Sequence, residues 1–118
     1  MIKKLIESEE FTAGDGTILR EILHPDKADL ALGYSLAIAK LAPEATSILH
    51  RLRTSEVYYI LKGRGNMELD GKWTEVGPGD TVYIAPYVTQ RIKSLGPEEL
   101  EFLCIVDPAW KVEDEEIL

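Results

Sequence analysis

With 118 residues, 45% of them hydrophobic and 29% charged, the chain fits one globular domain over 1–118 with a core of its own. A formal net charge of −8 argues against a nucleic-acid partner, because phosphate binding needs concentrated Lys and Arg. No window nears the run of about 18 apolar residues that a membrane helix needs. MIKKLIESEE lacks the apolar stretch of a secretory leader, so no membrane partner and a cytoplasmic location are expected.

Helical periodicity is weak, and short β-rich runs alternate with Gly, Pro and Asp punctuation. Within the N-terminal stretch 1–33, short turns are expected at the N-terminus and in PDKADLAL (25–32), with a strand at 17–23. His24, before a proline, reads as an exposed turn histidine. Strands follow at 34–42, 47–53, 56–62 and 65–70, the last two separated by a tight reversal at Gly63 and Gly65. Asp70-Gly71 is a type I′ hairpin signal leading into a strand at 73–76. Pro78-Gly79-Asp80 precedes a strand at 81–84; another runs over 89–95, and Gly96-Pro97 precedes the last, at 100–106. The lone Cys104 cannot form an internal disulfide and reads as a small buried hydrophobe. An acidic tail, 109–118, closes the chain, with Trp110 expected to anchor it. So many short strands joined by tight turns predict an all-β sandwich or barrel.

Strand phase assigns side chains to faces. Ile48, His50 and Leu52 are expected inward with Gln90 and Ile92, leaving Arg51, Arg53, Arg91 and Lys93 outward. That cationic face is either solvated or paired with the EDEE of 113–116, from the same chain or a partner. In 56–62, Glu56, Tyr58 and Ile60 share one face, yet Val57, Tyr59 and Leu61 on the other are as apolar. A strand greasy on both faces needs cover on both, which predicts a homodimer through an outer sheet.

These runs resemble the cupin superfamily over most of the chain, about Tyr34 to Pro108. The first motif of that family has two histidines one residue apart, then a glutamate and a glycine. His50, Glu56 and Gly63 hold that spacing, with Glu44 at the first glycine and Leu52 at the second histidine. The second motif begins in register at Gly79-Asp80, but Ala85, Tyr87, Gln90 and Ser94 stand at its Pro, Gly, His and Asn positions. The resemblance implies a double-stranded β-helix, the jelly-roll barrel, with its core over about 34–108.

In metal-binding members of that family the motif side chains converge on one divalent ion. Carried over by position, the metal set here is His50, Glu56 and Gln90. It is thin for Zn or Fe, which prefer more nitrogen, whereas Mn or Mg tolerate oxygen ligands. The same three groups equally form a satisfied polar cluster that needs no metal. Tyr34, Tyr58 and Tyr83 either line a ligand pocket with His50, Leu52, Glu56 and Gln90 or are core aromatics. Two functions follow from the resemblance. One is a barrel binding a small organic ligand, with isomerase-like or dioxygenase-like chemistry if a metal is held. The other is a metal-free, non-catalytic binding or sensing module. No Ser-His-Asp or Cys-His arrangement is suggested, and no phosphate-cradling glycine loop either.

Overall fold

A computed structural model describes residues 1–118. In chain order the strands are β1 (Glu10–Thr12), β2 (Ile18–Leu23), β3 (Ser35–Leu41), β4 (His50–Leu52), β5 (Ser55–Lys62) and β6 (Gly65–Leu69). Then come β7 (Lys72–Val76), β8 (Thr81–Ile84), β9 (Gln90–Ser94), β10 (Leu100–Asp107) and β11 (Glu115–Ile117). They form a 6-stranded sheet, β1-β2-β3-β10-β5-β8, and a 5-stranded sheet, β11-β4-β9-β6-β7, with every named pair antiparallel. The fold is all-β, a jelly-roll barrel of two facing sheets. The N-terminal strands β1 and β2 extend one sheet, and β11 from the acidic tail closes the edge of the other beside β4.

Alternation fixes which faces meet. β3 and β10 bury every second residue, and Phe102, Ile60, Tyr58, Ile92 and Leu100 are almost wholly enclosed. The Tyr58 and Phe102 rings pack with centroids 4.5 Å apart. Asp70 and Gly71 both take positive φ between paired Leu69 and Lys72, which is the type I′ reversal expected. Gly63, also at positive φ, turns so close to the chain that a Cβ would lie 2.5 Å from the Glu99 carbonyl oxygen.

Three expectations need correction. The strand expected over 47–53 is regular only at His50–Leu52, and Ile48 is exposed rather than inward. Its N–H bonds the Asp15 carbonyl, whereas Ser47 faces inward and takes the Ile92 N–H on its hydroxyl. The face therefore slips by one residue between Ser47 and His50. His24 is buried, not exposed: its Nε2 donates to the Trp110 carbonyl at 2.7 Å and its Nδ1 accepts the Asp26 N–H. The short strands β1 and β11 were not anticipated; EFT and EEI are too brief to display a period.

Candidate functional site

Between the sheets lies a cavity of about 100 Å³. Leu19, Ala37, Ala39, Tyr58 and Phe102 supply apolar wall, and Asp15, His50, Glu56 and Glu115 supply polar groups. No lysine or arginine lines it.

His50 reaches the cavity from β4 and is 2% exposed. Its Nδ1 lies 2.7 Å from the Ile48 carbonyl oxygen, which can only accept, so Nδ1 carries a proton. Nε2 then faces Asp15, 3.7 Å from Oδ2 and beyond hydrogen-bond reach. Asp15 is fixed by its own loop: Oδ1 accepts the Thr17 N–H at 3.0 Å and the Thr17 hydroxyl at 2.7 Å, a side-chain turn that Gly16 at positive φ completes.

Glu56 points inward from β5 and its Oε1 has no hydrogen-bond partner. Burial pushes its pKa up to about 8, and the nearby Asp15 and Glu115 carboxyls push the same way. The Gln90 amide holds this rise back, although its Nε2, also partnerless, falls short of good hydrogen-bond geometry with Glu56 Oε1. The Tyr58 hydroxyl donates to Gln90 Oε1 at 2.9 Å. Burial raises the Tyr58 and Cys104 pKa values well above their ordinary range, so both stay protonated. Glu115, from β11, is also raised by burial, with His50 opposing and Asp15 reinforcing.

His50, Leu52, Glu56 and Tyr58 thus share the cavity, while Gln90 sits behind it, paired across the ladder with His50 and bonded to Tyr58. Tyr34 and Tyr83 do not line it: both are exposed, Tyr83 by 63%, because its alternate position on β8 points outward beside Val57. Asp15, Glu115, Trp110 and Cys104 line it without having been assigned to it from sequence. Asp15 lies in AGDGT, which reads only as a turn, and Glu115 lies in an acid run that reads as surface. Trp110 does anchor the tail, donating its N–H to the Ser35 hydroxyl, but it also forms cavity wall.

The ion set implied by resemblance fits poorly. Leu52 offers no donor atom, Gln90 spends its oxygen on Tyr58, and no cluster of three His, Cys, Asp or Glu side chains is placed to hold an ion. The arrangement instead presents acceptors and acids at one part of an apolar hollow.

A cupin domain family model matches residues 37–106. An uncharacterized protein of Methanocaldococcus jannaschii is 40% identical over 121 residues, covering 98% of this chain and 96% of that protein. A glucose-6-phosphate isomerase of Pyrococcus furiosus is 42% identical over 105 residues; the match covers 85% of this chain but only 50% of the isomerase. Among solved structures, oxalate decarboxylase from Bacillus subtilis superposes with a TM-score of 0.83 at 21% identity, covering 97% of this chain and 31% of that one. A cupin 2 domain-containing protein from Halorhodospira halophila gives a TM-score of 0.74 at 25% identity, covering 86% of this chain and 75% of that one.

Proposed function

The chain belongs to the cupin domain family, and we propose that its barrel is a binding module for one small organic molecule, held without a resident transition metal. The observation that carries this reading is the unfinished polar end of an otherwise apolar hollow. Glu56 Oε1 is buried without a partner, and a buried unpaired carboxyl oxygen is costly unless something completes it. Aromatic and aliphatic walls with a few convergent polar groups are the usual make-up of a small-molecule site. His50, Glu56 and Tyr58 are its working contacts, with Gln90 positioning Tyr58.

A second reading draws on the resemblance to the glucose-6-phosphate isomerase, of which this chain spans half the length. Here His50, Glu56 and Gln90 would hold Mn, Fe, Zn or Mg, and Glu56, ionising near pH 8, would be suited to moving a proton. Elemental analysis of untagged protein after reconstitution separates the two. Less than about a tenth of an equivalent of any of these metals is expected for the binding module. Stoichiometric metal that is lost in His50→Ala and Glu56→Ala but kept in His24→Ala would establish the second reading instead.

We also propose that the protein pairs with itself across the outer face of the 6-stranded sheet. Leu36, Ile38, Leu103, Ile105, Val57 and Tyr59 lie there in register on neighbouring strands.

A further inference from the structure

We propose that the molecule this cavity takes is a small organic cation, a primary alkylammonium of roughly five heavy atoms, and that the cavity rejects anions; this rests on the binding-module reading and names its ligand class. The lining side chains that can ionise to a charge are one-sided. Asp15, Glu21, Glu56 and Glu115 face the hollow with His50, and no lysine or arginine joins them. Glu21 is already paired with Lys27 Nζ at 2.6 Å, so three carboxyls remain for a ligand.

Above about pH 8, where Glu56 has lost its proton, the free carboxylate oxygens of this set are acceptors. His50 spends its proton-bearing Nδ1 on the Ile48 carbonyl, so Nε2 is the ring nitrogen left facing Asp15. Asp15 Oδ2 is too far from that nitrogen for a hydrogen bond. Glu56 is only 7% exposed and lines the cavity, and no hydrogen bond of good geometry holds its Oε1. An ammonium brings three N–H donors and a positive charge, which answers this set as no hydroxyl or carboxylate can. The remaining wall suits the rest of such a molecule. Phe11, Tyr58, Phe102 and Trp110 make this wall aromatic, a class of side chain that attracts a cation, and Leu19 and Ala37 offer contact for an alkyl stem.

Size sets the upper limit. The cavity is about 100 Å³, and an apolar cavity of about 150 Å³ holds benzene, so a chain of four carbons with one nitrogen is close to the largest linear occupant. A phosphate or carboxylate would enter among three acids with no lysine or arginine to meet it. The glucose 6-phosphate named for the isomerase relatives is therefore a poor fit on both size and charge.

Titration of the full-length protein with butylammonium, butan-1-ol and butyrate, followed by amide chemical shifts and calorimetry near pH 8, tests this. Butylammonium should shift the Ala37 and Cys104 amides and bind at least about tenfold more tightly than butan-1-ol, with butyrate producing no shift there. Glu56→Gln should cut that preference at least about fivefold, whereas Glu116→Gln, outside the cavity, should leave it unchanged. Equal binding of alcohol and ammonium, or binding of butyrate at the same amides, overturns the cation assignment and leaves the small-ligand reading standing. No shift at cavity amides with any of the three overturns both.

Discussion

Glu56 carries a carboxyl that ionises only near pH 8 in the fold, against an ordinary value of 4.5. Between those values the folded chain keeps a proton that the unfolded chain has lost. Unfolding then releases a proton, so stability falls as pH rises through the window from about 4.5 to 8, and levels off above it. The full effect is on the order of a few kcal/mol, and Glu115, raised in the same direction, adds to it. Glu56→Gln removes the larger part of this slope. Urea midpoints measured near pH 5.5 and pH 8.5 should drop clearly in the wild type and much less in the variant; parallel drops would show that Glu56 does not stay protonated. His24 gives a second residue-scale expectation. Its ring joins the Trp110 carbonyl to the Asp26 N–H, so His24→Ala leaves buried polar groups unmet and should cost about 1–3 kcal/mol in a denaturant titration. Its burial was not legible because ILHPD has the composition of a turn, and its partner lies 86 residues away.

At the scale of elements, strands long enough to show alternation were legible within a residue or two. β3, β5, β9 and β10 each run five residues or more, and their buried faces follow a period of two. β4 was legible only in its second half, since the slip before it comes from a bond between Ile48 and the distant Asp15 loop. The candidate site divides the same way. His50, Glu56 and Tyr58 announce themselves by spacing and phase, whereas Asp15 and Glu115 arrive through tertiary pairing that no local pattern encodes. The cationic face likewise finds its acids within the chain: Arg51 bonds Glu116 at 2.8 Å, Arg91 bonds Glu68 at 2.7 Å, and Lys93 lies 3.6 Å from Glu44. Arg53 and Asp114 are joined through the backbone, where the Arg53 N–H donates to the Asp114 carbonyl. The Arg51–Glu116 pair is well exposed, so Arg51→Ala should cost less than about 1 kcal/mol. Removing residues 113–118 should do more, because it strips backbone bonds from β4 and Glu115 from the cavity. Hydrogen exchange should then accelerate at Arg51 and Arg53 while Cys104, deep in β10, stays protected; unchanged exchange at β4 would show that β11 does not hold that edge.

For the whole molecule, the two faces of the 6-stranded sheet have separate tasks. The inner face makes the core and cavity wall; the outer face carries Leu36, Ile38, Val57, Tyr59, Tyr83, Leu103 and Ile105, with the N-terminal Leu5 and Ile6 approaching it beside Ile38. Tyr59 and Tyr83 are 43% and 63% exposed, and the strands register Leu103 beside both Ile38 and Tyr59, so the patch is continuous rather than scattered. Isolated exposed apolar residues need no explanation, but a contiguous patch of this kind is what two-fold partners bury. The molecule's extents of 38 × 29 Å leave room for the roughly 800 Å² per partner that a stable interface takes. Light scattering at about 10 μM should therefore return twice the 13.2 kDa chain mass. Replacing both Tyr59 and Leu103 with Lys places like charges at the centre of the patch without touching the inner face, and should give the single-chain mass with the cavity amides unshifted. A wild-type monomer at that concentration, or a dimer that survives both substitutions, would mean that the apolar outer sheet is not the pairing surface.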